Sequence, residues 1–64
     1  PRTGTAGLIG EVAEVMEVRE DRLKVFVHGE IWNAESSEPV NVGEMVKVVG
    51  VENLKLRIQR VDSG

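Results

Sequence analysis

Valine runs through this chain in short alternating stretches, and that pattern constrains the fold more than any other feature. Twelve of the 64 residues are valine. Branching at Cβ restricts χ1 and packs well on a pleated surface, so the usage points to β structure. Leu23, Val25 and Val27 alternate with Lys24, Phe26 and His28, the period of a strand buried on one face. His28-Gly29 makes a tight connection into a second strand, Glu30 to Ala34. Gly29 is expected to supply the positive φ that such a hairpin needs. Arg19-Glu20-Asp21-Arg22 reads as a charged turn, and Ser36-Ser37-Glu38-Pro39 as a polar loop. Pro39 has no N–H to give to a ladder. After Gly43 comes a further strand, Met45 to Val51, and a turn at Glu52-Asn53. Leu54, Leu56 and Ile58 then alternate with Lys55, Arg57 and Gln59 in the last strand.

Leu8 to Val18 is ambiguous. Leu8, Val12, Val15 and Met16 fall at i, i+4, i+7 and i+8, which fits an amphipathic helix. The same valines also fit a strand with one bulge, and Gly7 and Gly10 at the start weigh against a helix. Residues 1–6 are small and polar and read as a linker or frayed end, leaving 7–61 as the folded part of a single domain. Four clear strands and a fifth candidate in so short a chain must curl into a barrel or leave exposed edges. The predicted class is therefore all-β.

The chain is too short for more than one domain, and a domain of this size buries only about 60% of its unfolded surface. Cysteine is absent, which excludes disulfides, thiolate metal sites and thiol nucleophiles. Eight basic against eleven acidic residues leave a net charge of −3, unfavourable for a polyanionic partner. No apolar run approaches the ~18 residues of a membrane span, and no signal-peptide pattern is read in the chain's opening residues. The first residue is Pro1, from which a fragment excised from a larger protein is expected.

Val27-His28-Gly29-Glu30-Ile31-Trp32-Asn33-Ala34, then Pro39-Val40, then Gly43 to Val51 and Leu54-Lys55-Leu56, resemble the C-terminal soluble domain of the NfeD family. The pattern is V-x-G-E-x-W-x-A, a short polar loop, G-x-x-V-x-V-x-x-V and x-L-x-L. Gly7 and Gly10 match the paired glycines that open that domain. The most specific part is G-E-x-W-x-A followed by G-x-x-V-x-V at this spacing. One segment departs: Met16 to Arg22 lacks the Thr-x-Leu-x-Pro-x-Gly stretch common in members. The resemblance turns Leu8 to Val18 to strand and implies a small five-stranded OB-fold-like barrel lacking the usual helix. It also implies a membrane-anchored parent, with this domain on the cytoplasmic side, acting with a stomatin- or flotillin-like partner. Long members carry a separate serine protease domain, absent from this chain.

No catalytic, cofactor-binding or metal-binding residue is assigned. His28 is the single histidine, and a metal site needs three or four convergent ligands. The glutamates are spread at strand-surface spacing, and a barrel this small has little interior in which to shift their pKa. Single-strand binding needs aromatic platforms over a basic groove. Phe26 and Trp32 could face outward on neighbouring strands, with Lys24, Lys47, Lys55, Arg57 and Arg60 as a basic patch. The simpler reading is that Trp32 plugs the barrel and the cations solvate its outside. Lys47 lies inside a valine-rich strand and not at a hairpin tip, unlike the modified lysine of biotinyl and lipoyl domains.

Gly29, Trp32, Gly43, Val46, Val48 and Leu56 are thus expected to be structural. Phe26, Lys24, Lys55 and Arg57 form the candidate interaction surface. The function expected is a non-catalytic protein-interaction module, working through an exposed apolar patch or an open sheet edge, in membrane-protein quality control or membrane organisation. A weak single-stranded nucleic-acid binder and an architectural spacer are the alternatives. No small-molecule substrate and no nucleic acid are expected as partners.

Overall fold

The computed structural model describes residues 5–61. A 3₁₀ turn at Thr5–Leu8 precedes five strands: β1 (Val12–Arg19), β2 (Arg22–Val27), β3 (Glu30–Ser36), β4 (Met45–Glu52) and β5 (Lys55–Arg60). They close into a barrel in the order β1-β2-β3-β5-β4, with β4 returning to pair with β1. Every pairing is antiparallel except β3 with β5. The connection from β3 to β4, residues 37–44, contains no helix.

The ambiguous segment divides. Leu8 belongs to the 3₁₀ turn, and the strand begins only at Val12. The helical spacing of Leu8, Val12, Val15 and Met16 misleads because Val12 and Met16 point out while Val15 points in. The register breaks between Val15 and Glu17, so Met16 is the extra residue of a bulge. At that bulge β1 exchanges partners. The Gly43 N–H donates to the Val15 carbonyl at 2.8 Å, and the Val15 N–H donates to the Glu44 carbonyl at 2.9 Å. Residues 1–4 of the expected linker lie outside the described residues, whereas Thr5 and Ala6 already form the 3₁₀ turn.

Alternation builds the core. Ala13, Val15, Val25, Val27, Ala34, Val46, Val48, Leu56 and Ile58 point inward from the five strands. Val15, Val25 and the predicted Val46, Val48 and Leu56 are 0% exposed. Leu8 and Val40, from the connections, complete the buried set. Leu8 lies beside Trp32 near the β2–β3 turn. Val40 lies by Leu23 and Ala34 near the β1–β2 turn, at the opposite end. No polar or charged side chain is buried among the described residues.

The β2–β3 connection is the expected two-residue turn, with His28 at φ 54° and Gly29 at φ 78°. Positive φ at both central positions matches the right-handed twist of the paired strands. The last turn sits one residue later than predicted. Asn53 (φ 53°) and Leu54 (φ 64°) form it, and Leu54 is a turn residue, not the first of β5. Its exposure, 70%, shows why alternation misplaced it: the apolar side chain at that position is not an inward one.

Candidate interaction surface

Closure removes one expected route of recognition. A sheet with an open edge can accept a partner's strand, but here β4 pairs with β1 and no long edge remains among the described residues. Recognition must therefore use side chains on the outside of the barrel.

The four predicted surface residues lie on the outer side of β2 and β5, with β3 between them. Lys24 pairs with Asn33, and Asn33 with Lys55, so the two lysines flank one asparagine. Arg57 is the next outward residue along β5, beside Glu35, and Phe26 is the next along β2, beside Ile31. The lysine row ends in acids, because Glu17 pairs with Lys24 and Glu52 with Lys55. The larger basic patch does not assemble. Lys47 lies between Val12 and Gln59 on the β4 side, while the Arg60 Nε donates to the Glu44 carboxylate at 2.6 Å. The two aromatics cannot form a joint stacking platform. Phe26 pairs with outward Ile31, whereas Trp32 pairs with inward Val25, and strand alternation puts these on opposite faces.

Trp32 does not plug the barrel. It is half-buried and packs against the core from the rim, beside Leu8, His28 and Glu30. Barrel width grows with strand number, and the interior of this narrow one is filled by valine-, leucine- and isoleucine-sized side chains. The Trp32 Nε1 is nevertheless buried and lacks a hydrogen-bond partner. His28 Nε2 stands 3.2 Å from Glu11 Oε1, both side chains about half exposed. No group of three or more potential metal ligands gathers among the described residues.

Two features escaped sequence reasoning. The first is Glu44, which ties three elements together. Its carboxylate accepts the Asn41 N–H at 3.0 Å and the Arg60 guanidinium at 2.6 Å, while its carbonyl receives the Val15 N–H. The Asn41 hydrogen bond, with Arg60 second, holds its carboxyl below the usual carboxylate range. The same contact pushes Arg60 further up.

The second is an apolar outer face. Val12, Met16, Phe26, Ile31 and Met45 are 40% to 54% exposed. Register brings them together: Ile31 pairs with Phe26, Phe26 with Glu14, and Glu14 with Met45. Val12 and Met16 flank Glu14 along β1. Adjacent strands lie ~4.8 Å apart, so the row from Ile31 to Met45 spans about 14 Å. Large apolar residues at outward positions of otherwise regular alternation are the signal that could have revealed it.

A closed five-stranded barrel with an apolar interior, no helix between β3 and β4 and an apolar outer face is an OB-like binding module. The chain belongs to the NfeD family: residues 5–60 match the model of the NfeD-like C-terminal, partner-binding domain, a family defined by binding and not by catalysis. It is similar in structure to the C-terminal domain of a stomatin operon partner protein from Pyrococcus horikoshii. The TM-score is 0.83 and identity 33%, over 97% of this chain and 100% of that one. The soluble domain of a membrane protein implicated in regulation of membrane protease activity, from Corynebacterium glutamicum, gives a TM-score of 0.77. Its identity is 30%, over 86% of this chain and 94% of that one. No curated protein sequence gives a significant match. No helix among the described residues is long and apolar enough to cross a membrane.

Proposed function

We propose that this domain is the docking module of a membrane-anchored parent protein and that it engages a stomatin- or flotillin-like partner. The observation that carries this reading is the apolar outer face: a chain that fills its interior with apolar side chains still leaves Val12, Met16, Phe26, Ile31 and Met45 clustered in solvent. Contiguous exposed apolar surface marks interaction sites. The family match and the stomatin operon partner supply the class of partner. On this reading the domain lies on the cytoplasmic side of the membrane and acts in membrane-protein quality control or membrane organisation, a role that the stomatin-like class of partner supports. Of the predicted residues, Phe26 is part of the apolar face, and Lys24, Lys55 and Arg57 would extend the contact along β2 and onto β5.

Adding the soluble domain of a stomatin-like protein to the isotopically labelled chain should shift amide signals on one contiguous face that includes Phe26 and Ile31. A 20-nucleotide single strand at physiological salt should shift none saturably. Amides left unmoved by the stomatin-like domain would leave only the spacer reading. Saturable binding of the strand with a clear salt slope would favour the nucleic-acid one.

A further inference from the structure

The four nearest outer-face neighbours of Glu14 are all apolar: Val12 and Met16 along β1, Phe26 across on β2 and Met45 across on β4, with Lys47 only diagonal to it beyond Met45. Glu14 is exposed, and no cation pairs with it among the described residues, although arginines pair with Glu17 and Glu44. A carboxylate at a strand surface is ordinary. A carboxylate inside a ring of exposed apolar side chains is not, because any partner that covers the ring must also cover the charge.

We infer that this face selects a partner segment carrying one cation, Arg or Lys, among apolar side chains, with the cation placed on the Glu14 carboxylate. The inference rests on the docking role proposed above and deepens it by naming what the docked segment must present. Covering the ring with an uncharged apolar surface would strip water from Glu14 and give nothing in return. A partner acid would add repulsion, so the same residue attracts one class of segment and rejects the others. Arginine suits the position best, since its planar guanidinium binds a carboxylate through two hydrogen bonds and stacks on an aromatic such as Phe26. A second copy of this chain is a poor occupant. A two-fold contact centred on the ring would set Glu14 against Glu14.

Three peptides test this, each alternating leucine and serine around a central Arg, Gln or Glu and titrated into the labelled chain. The Arg peptide should shift the amides of Val12, Glu14, Phe26 and Met45 saturably, with a Kd at least tenfold below that of the Glu peptide. Glu14→Gln, at an exposed strand position, should stay folded and bind the Arg and Glu peptides equally. Equal Kd values on the unsubstituted chain would overturn charge selection yet leave docking on this face intact. Shifts from no peptide would also overturn it, even if the stomatin-like domain binds elsewhere on the barrel. Concentration-dependent shifts of the same amides without any peptide would assign the face to a second copy and overturn the inference as well.

Discussion

At the scale of single residues, Glu44 does more for the fold than its sequence context suggests. Its ion pair with Arg60 joins the end of β5 to the loop before β4, and its carboxylate closes that loop on Asn41. A carboxylate whose folded pKa is depressed stabilises the fold above its unfolded pKa, and that contribution is lost as pH falls through the folded value. Stability from Glu44 is therefore present at neutral pH and disappears below the ordinary carboxylate range. Glu44→Gln should lower the melting temperature at pH 7 and flatten its fall on acidification, read by circular dichroism; parallel acid curves for the two proteins would contradict this. Trp32 permits a second comparison. Truncation to Ala should cost about 2–3 kcal/mol, less than for a fully buried indole, because the ring is only half-buried. Trp32→Phe should cost far less than truncation, since it removes a buried N–H without a partner, and such a donor is costly to keep. Equal losses for the two variants would contradict this packing of the ring against the core.

At the scale of elements, the turns separate what was legible from what was not. The β2–β3 hairpin was readable because His28-Gly29 stands between two alternating runs, and a glycine there has one conformational use. Gly29→Ala should cost about 1 kcal/mol, because a Cβ at φ 78° is strained whatever the space around it. Gly50→Ala should cost less. Gly50 lies beside the second bulge, and an added Cβ there would meet the mobile end of Arg57, Nη2 at 2.9 Å. Urea titration of both variants decides; equal midpoints would contradict the assignment. The β4–β5 turn was misread by one residue because Leu54 continues the apolar alternation into a position where the backbone is left-handed. Leu54→Gly creates the Asn-Gly pair that such turns favour and should stabilise the fold by about 0.5–1 kcal/mol, net of the greater freedom glycine gains on unfolding. The first strand was ambiguous from periodicity, which fits a helix as well as a strand with one bulge and cannot place that bulge at Met16; the family resemblance turned it to strand. The outward apolar residues were visible one strand at a time, but their clustering into one face was not. It depends on which outward residues of β1, β2, β3 and β4 end up side by side, and register is not written in any one strand.

At the scale of the whole molecule, the barrel is a single small core with no buried polar or charged residue among the described ones. A core of this size supplies only a few kcal/mol in total. Leu56→Ala, at a position 0% exposed, should cost about 2–5 kcal/mol and leave most of the chain unfolded at room temperature; a cooperative melt near that of the unsubstituted protein would contradict the inward placement of β5. The seam between β1 and β4 is the shortest antiparallel pairing, three residue pairs from Val12–Lys47 to Glu14–Met45, supplemented by the Gly10 and Glu11 backbone bonds to Val48. That seam joins segments more than thirty positions apart in the chain, so it is expected to form late, once the loops it closes have been ordered. Closing it has a consequence for crowding. Barrels tethered side by side at high local density have few free amide and carbonyl groups to offer one another, so neighbours can jostle without knitting into fibrils.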